Sequence, residues 1–259
     1  AALPIYMPME IEMKKNLHQI MKQNSLILAK YEQKLNSIDL RLVNILIHAQ
    51  QNLLIIGTEN INLFNYQQLK ERKIMIKSKT IKEAGCFGVN ANEDIFLSLK
   101  KIRDTSAIVK NFTDVDGKTY RAMIVALIDG VRMIDKKIGT IPDEREVQFE
   151  ITFSEWFLKT STAAFNTKVG NYAKMPAIIS TISNNKSAIK LYELLKVYEY
   201  KNYFSIKLLD LQKHFEVEYT LAEFKKIIDR TKPKIETSIS FEYEIEKKDK
   251  IINFYFIGK

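Results

Sequence analysis

The sequence N-N-K-S-A-I-K-L-Y-E-L-L-K-V-Y-E occupies residues 184–199, and with the two stretches that follow it decides the fold. Those stretches read S-I-K-L-L-D-L-Q-K-H-F at 205–215 and T-L-A-E-F-K-K-I-I-D-R-T-K-P-K-I at 220–235. Apolar residues of the first stretch recur every three or four positions, which predicts a helix that buries one face. They are Ala188, Leu191, Tyr192, Leu195 and Tyr198.

The second and third stretches predict a short helix and a longer, capped one. Leucines within 208–211 pack a helix that ends near Phe215. Thr220 and Glu223 form the Thr-x-x-Glu pattern of a capping box, which satisfies free backbone N–H groups at a helix start. Pro233 lacks the N–H that a helix interior needs, so the third helix is predicted to end or kink just before it. Its inward-facing residues are Leu221, Phe224, Ile227 and Ile228.

A two-stranded hairpin is predicted after the third helix. Apolar residues alternate with glutamates over 241–246, and apolar residues alternate again over 252–256. The turn between them, at 247–250, contains three lysines. The order helix, helix, helix, hairpin is typical of a winged helix, a helix-turn-helix variant that places its third helix in DNA.

The first and third helices resemble a known family. The runs S-A-I-K-L-Y-E-L-L at 187–195 and F-K-K-I-I-D at 224–229 are similar to the C-terminal winged helix of theta-type plasmid replication initiators, which bind iterons. That family usually shows Ser-x-x-Ala-Ile-Arg-Leu-Tyr-Glu-Leu-Leu. Here Lys190 stands where arginine is usual, and Glu216 stands where the family has a glycine after the second helix.

Residues 22–50 resemble the same family a second time. The initiators begin their first winged helix with Asn-x-Leu-Ile-x-Ala-x-Tyr, although this segment alone fits a generic amphipathic helix equally well. Ser37 is predicted to cap the following helix, because its hydroxyl can accept from first-turn N–H groups. The two matches together imply an α+β chain of two tandem winged-helix domains. The matching residues are Asn24, Leu26, Ile27, Ala29 and Tyr31.

Between the two matches the pattern changes from helix to strand. Asn92 is predicted to cap a helix that by position is the third helix of the first winged helix. Strands are predicted at 106–110, 120–128 and 146–153, with a turn at Asp129-Gly130. In the family this hairpin-rich region supports self-association. The resemblance therefore implies a homodimer in equilibrium with a monomer.

Composition bounds the class of protein. The 259 residues carry a formal net charge of +9, and a 46% apolar content supports ordinary buried cores. With one cysteine and no apolar run near the ~20 residues of a membrane span, we expect a cytoplasmic protein. The expected division is a tail at 1–13, an N-terminal winged-helix domain at 14–175 for self-association and DNA contact, and a C-terminal winged-helix domain at 176–259 for the main sequence-specific DNA binding.

The sequence offers no pattern for catalysis. Some replication initiators nick DNA with a tyrosine and a metal held by a His-hydrophobe-His pair, but the three histidines, His18, His48 and His214, lie far apart. There is no Gly-x-x-x-x-Gly-Lys-Ser/Thr phosphate loop. We therefore expect a binding protein that is not an enzyme and uses no metal or cofactor.

Basic residues on the third helices and in the hairpin turn are the predicted contacts to double-stranded DNA. Such residues release counterions from phosphates, and a few side chains read base edges in the major groove. Two modules could span a repeat of about 20 base pairs, because one helical turn is about 10–10.5 base pairs. For each lysine the alternative is a solvated surface charge. The predicted contacts are Lys225, Lys226 and Arg230, with Lys247, Lys248 and Lys250 in the hairpin, and Lys100, Lys101 and Arg103 in the first domain.

Three functions are compatible with these patterns. The first is a plasmid replication initiator that binds origin direct repeats, promotes origin opening, recruits host replication proteins and represses its own promoter as a dimer. The second is a winged-helix transcriptional regulator without a replication role, which should require a stable dimer and an inverted repeat. The third is an interaction module that does not bind DNA. The two family-like segments favour the first.

Overall fold

The structure is a computed structural model that describes residues 19–56, 73–85, 87–113, 118–137, 145–158, 160, 172–176 and 185–258. The tail expected at 1–13 lies outside these residues.

The fold is a mixture of helices and antiparallel sheets. The strands are β1 (Gln19–Gln23), β2 (Lys30–Tyr31), β3 (Lys73–Lys77), β4 (Ala107–Thr113), β5 (Thr119–Val125), β6 (Ile128–Lys137), β7 (Arg145–Phe153), β8 (Tyr172–Pro176), β9 (Tyr203–Lys207), β10 (Phe241–Glu246) and β11 (Ile251–Phe256). The helices are α1 (Asn24–Ile27), α2 (Ser37–Ile56), α3 (Ser78–Gly85), α4 (Asn92–Arg103), α5 (Lys186–Tyr198), α6 (Leu208–Phe215) and α7 (Leu221–Ile235).

The C-terminal half runs α5, β9, α6, α7, β10, β11, and its strands form one antiparallel sheet in the order β10-β11-β9. The three predicted helices and the predicted hairpin are confirmed. The helical stretch predicted at 205–215 begins too early, because Tyr203–Lys207 form a strand and α6 begins at Leu208. Burial alternates along β9, with Phe204 and Ile206 turned inward toward the core.

Helix α7 begins and ends for different reasons. Its predicted capping box is confirmed, since Thr220 and Glu223 each bond the other's backbone N–H. Of the two effects predicted for Pro233, an end of the helix is wrong, because the helix continues to Ile235, and a kink stays a prediction. Ile235 is fully buried, so the last turn is anchored in the core although the proline withdraws one backbone donor.

The N-terminal half repeats this order of elements. Helix α2, strand β3, helices α3 and α4, and strands β6 and β7 follow as helix, strand, helix, helix, strand, strand. The sheet order β3-β7-β6 again pairs the first strand with the last. The β4–β5 hairpin is inserted between α4 and β6 and pairs with β2 in a separate sheet. The two halves therefore share one topology, to which the N-terminal half adds a hairpin.

The two caps predicted in the N-terminal half, at Ser37 and Asn92, are wrong. Ser37 is the first residue of α2, and Asn36 caps it in a reciprocal pair with Asp39. The Asn36 Oδ1 accepts from the Asp39 N–H at 2.9 Å, and the Asp39 carboxylate accepts from the Asn36 N–H at 2.7 Å. Asn92 lies inside α4 and its Oδ1 accepts from the Ser78 hydroxyl at 2.5 Å, so it joins α4 to α3 and caps nothing.

The turn predicted at Asp129-Gly130 is also wrong. Both residues lie in β6, and the register with β7 shifts between Ile128 and Gly130. The turn residues mark a bulge in a continuous strand, since glycine within a strand is typical of such irregularities.

A buried ion pair joins the two halves. Lys22 Nζ on β1 lies 2.7 Å from Glu193 Oε1 on α5, and Asn44 Nδ2 on α2 donates to the same oxygen at 3.1 Å. All three residues are buried. Strand β1 pairs with β8, and the expected domain boundary at 175–176 falls inside β8. The junction is therefore desolvated, and a lone charge left there would be costly.

Candidate nucleic-acid interface

Helix α7 presents a basic outer face because its apolar residues occupy the inner one. Phe224, Ile228, Thr231 and Ile235 are buried. Exposed positions between them carry Lys225, Lys226, Asp229 and Arg230. The first turn is fixed by the capping box, whose Thr220 N–H holds the pKa of the Glu223 carboxyl below its ordinary value.

One lysine of this face is held by its neighbours. Lys225 Nζ lies 2.8 Å from Asp229 Oδ2, one helical turn away, and the Tyr243 hydroxyl on β10 donates to the other oxygen of that carboxylate. The Lys225 ammonium lies 6.0 Å from the centre of the Tyr243 ring. The bond to Asp229 raises the pKa of Lys225, and the same bond lowers the pKa of Asp229. These contacts attach the hairpin to α7 and orient Lys225.

Lys226 and Arg230 lie one turn apart on α7, and both are exposed. Neither has a carboxylate within 4.0 Å among the residues that the structure describes. Two cations at this spacing can reach phosphates or base edges along a groove without first breaking an ion pair.

The turn of the β10–β11 hairpin adds three more exposed cations. Lys250 adopts a left-handed backbone conformation with φ 53°, and its carbonyl accepts from the Leu208 N–H at 2.8 Å. The turn is therefore anchored to the start of α6. Nearby, a hydrogen bond with Asp249 raises the pKa of the Glu246 carboxyl. The exposed lysines of the turn are Lys247, Lys248 and Lys250.

The three basic residues of α4 that are predicted to contact DNA differ in their exposure and in their ion-pair partners. Lys100 is exposed. Lys101 Nζ lies 2.9 Å from the carboxylate of Asp39, whose side chain is only 1% exposed. Arg103 Nε donates to Asp104 Oδ1 at 2.7 Å, which raises the pKa of Arg103. Lys101 therefore neutralises a buried carboxylate, and its contact with DNA stays a prediction.

The buried faces of the two third helices follow one spacing, so their outward positions can be aligned. On each helix, three of the four buried residues are separated by four and then three positions; the fourth is Ser98 on α4 and Ile235 on α7. The three are Ile95, Leu99 and Ile102 on α4, and Phe224, Ile228 and Thr231 on α7.

This alignment places apolar residues of α4 where α7 is basic. Phe96 takes the position of Lys225, and Leu97 takes the position of Lys226. Leu97 is 52% exposed, whereas Phe96 is half-buried against the core. The sequence did not predict a role for Phe96 or Leu97, because only basic side chains were considered as DNA contacts. Aligning the two helices by the spacing of their apolar residues would have placed Phe96 and Leu97 opposite Lys225 and Lys226.

Lys190 points into the protein and is buried. Its Nζ donates to the His214 carbonyl at 2.7 Å and lies 3.3 Å from the carboxylate of Glu216, which also binds Lys186 at 2.7 Å. Burial lowers the pKa of Lys190. Glu216 has φ 58° and ψ 41°, a left-handed helix end that glycine adopts most readily. Lys190 and Glu216, the two positions that differ from the sequence pattern of the initiators, therefore form an ion pair with each other.

The described residues offer little else for a ligand. They contain no group of three or more His, Cys, Asp or Glu that could hold a metal ion. None of their helices is long and apolar enough to cross a membrane. A groove of about 1030 Å³ between β2 and α6 has mixed charge, so it does not select a polyanion. Its charged lining residues are Lys30, Lys34, Lys110 and Lys213, with Glu32, Asp210, Glu216 and Glu218.

Comparison with known proteins identifies a similar fold. No protein-family model matches the chain, and no curated protein matches its sequence. A crystal structure of the selenomethionine derivative of domains 2 and 3 of RctB is 10% identical, with a TM-score of 0.52, over 89% of this chain and 85% of that one. A second structure of RctB domains 2–3 is 11% identical, with a TM-score of 0.47, over 85% of this chain and 82% of that one. At this identity the first likeness concerns the fold alone: the chain has an α+β fold similar to that of a two-domain RctB fragment.

Proposed function

We propose that this chain is a replication initiator that binds direct repeats in double-stranded DNA through two winged-helix modules. The observation that carries the proposal is the exposed pair Lys226 and Arg230 on α7, beside a hairpin whose turn holds three exposed lysines. The order of strands supports it, because both halves place a third helix before a two-stranded hairpin.

In the proposed complex α7 lies in the major groove and the β10–β11 turn follows the phosphate backbone. Arg230 and Lys226 supply donors for guanine edges or phosphates, and Lys247 and Lys248 neutralise phosphates beside the groove. The N-terminal module contacts the neighbouring turn of the same repeat, which gives a site of about 20 base pairs. No step of this mechanism requires a cofactor or catalysis.

The wider role follows from the family resemblance. An initiator of this kind opens the origin, recruits host replication proteins and represses its own promoter as a dimer. The inserted β4–β5 hairpin, which pairs with β2 outside the main sheet, is the segment that we assign to self-association. The second candidate is a winged-helix transcriptional regulator, which the basic face of α7 supports equally well.

Fluorescence anisotropy tests the proposal. The DNA that flanks this gene is first searched for direct repeats. One labelled duplex carries such repeats, and a second duplex carries the same bases in scrambled order. We expect the repeat to bind at least a thousandfold more tightly than the scrambled duplex. One monomer per direct repeat favours the initiator, whereas a dimer that needs an inverted repeat favours the regulator. Equal, salt-sensitive binding to both duplexes would contradict both candidates.

A further inference from the structure

The outer face of α4 differs from a basic DNA-binding surface at its centre. Four exposed residues form one stripe along the helix, spaced by four, three and four positions. They are Glu93, Leu97, Lys100 and Asp104. Leu97 is the apolar member, and it takes the position that Lys226 holds on α7.

The position of Leu97, more than its exposure, distinguishes it. Single exposed apolar residues are ordinary on protein surfaces. Leu97, however, occupies the middle of the third helix of its module, the part that enters the major groove if the proposed function holds. Its backbone lies within the regular helix α4, between Asn92 and Arg103.

The exposed stripe of α4 offers a single apolar side chain, Leu97, to a partner. A stable protein interface buries about 800 Å² on each partner. Here one exposed leucine is bordered by the charged residues Glu93 and Lys100 along the same stripe. A single apolar side chain between polar ones suits the thymine 5-methyl group, which is the only apolar feature that a base pair presents in the major groove.

We propose that Leu97 reads thymine through its 5-methyl group, so that α4 adds one base contact to the sequence reading for which α7 is the main helix. This inference rests on the proposed function. Lys100, one turn further along α4, reaches the phosphates beside that base. Cytosine in the same place presents an amino group and no methyl, and it leaves Leu97 against a polar edge.

Replacing thymine by deoxyuridine tests the inference, because it removes the methyl group and leaves the hydrogen-bonding edge unchanged. Each thymine of the repeat is replaced in turn, and affinity is measured by anisotropy with the full chain. For the unaltered protein we expect one or two positions at which deoxyuridine weakens binding about fourfold, the effect of losing one buried methyl-sized group. At those positions Leu97→Ala should bind thymine and deoxyuridine equally, and Leu97→Met should keep most of the preference.

Lys226→Ala is the matched control on α7, and it should weaken binding to both duplexes by the same factor. The inference is overturned if Leu97→Ala keeps the full thymine preference, or if no position distinguishes the two bases while the repeat is still preferred over a scrambled duplex. It is also overturned, in favour of a protein contact, if Leu97→Ala changes only the sedimentation of the chain. Loss of all preference for the repeat by the unaltered protein would overturn the proposed function itself.

Discussion

The two halves of the molecule share a topology but use the third helix differently. On α7, Lys226 and Arg230 project outward without a carboxylate partner among the described residues. At the same two positions, α4 has an exposed Leu97 and a Lys101 that neutralises the buried Asp39. One backbone arrangement thus carries a charged surface in one half and a more apolar one in the other. Basic residues on a third helix are therefore not equivalent until their partners are known.

The largest expected effect concerns the contact that holds the halves together. Lys22→Met leaves the carboxylate of Glu193 buried, with Asn44 as its remaining side-chain donor among the described residues. Removing one partner of a buried pair costs about 3–5 kcal/mol of unfolding free energy. Urea unfolding followed by circular dichroism measures the loss. The double variant Lys22→Met with Glu193→Leu is the control and should recover most of the stability. An unchanged midpoint for the single variant would show that the halves do not depend on this pair.

A pH effect of intermediate size should come from His214 in the C-terminal half. Burial lowers the pKa of His214 to about 4, and its Nε2 has no hydrogen-bond partner among the described residues. The unfolded chain takes up this proton near pH 6.5 and the folded chain only near pH 4. Stability that is complete above pH 6.5 is therefore lost as the pH falls toward 4, by on the order of 2–3 kcal/mol.

The corresponding position on α3 of the N-terminal half is Ala84, so the effect assigned to His214 has no counterpart at that position. Between pH 5 and 7, the free energy of unfolding should therefore depend less on pH in His214→Leu than in the unaltered chain. Identical pH dependence in both proteins would mean that His214 is not the group responsible.

Substituting Lys101 on α4 and Arg230 on α7, which occupy corresponding positions, distinguishes a cation that stabilises the fold from one that binds DNA. Lys101→Met uncovers the buried Asp39 carboxylate and should cost about 1–3 kcal/mol of stability while leaving the salt dependence of DNA binding unchanged. Arg230→Met should do the reverse. We expect a stability change within about 0.5 kcal/mol and a loss of about 1–3 kcal/mol in binding to the repeat. If both variants lowered DNA affinity by the same factor without loss of stability, Lys101 would be a DNA contact like Arg230, and the proposed difference between the two helices would be wrong.

The smallest expected effect concerns the hairpin turn. Lys248→Ala should lower the slope of log K against log salt by about one, with a similar loss for every DNA sequence. Lys232→Ala is the matched control, because its ammonium lies 2.7 Å from Glu242 and is already neutralised. A change in slope for Lys232→Ala but not for Lys248→Ala would place the DNA on the other side of the hairpin.

Local signals in the sequence were sufficient for most of the C-terminal half. The capping box of Thr220 and Glu223 and the alternation along β10 and β11 depend on residues a few positions apart. Strand β9 was missed because its apolar residue Ile206 runs directly into Leu208 and Leu209, and a five-residue strand before a helix then resembles one longer helix.

The candidate site was less predictable because its decisive contacts are long-range. Asp39 lies 62 positions from Lys101, so no local pattern shows that this ammonium has a partner. The exposure of Lys226, by contrast, follows from the helical period alone. Sequence therefore predicts which residues face outward, and the tertiary structure decides which of them remain available.

The most direct test of the central claim compares the repeat preference of the unaltered chain with that of the double variant Lys226→Ala, Arg230→Ala. Both are titrated against repeat and scrambled duplexes over a range of salt, with unfolding curves to show that the variant is folded. We predict that the double variant remains folded and binds both duplexes with similar, weak, salt-sensitive affinity. A folded double variant that still prefers the repeat by a thousandfold would contradict the assignment of α7 as the main reading helix.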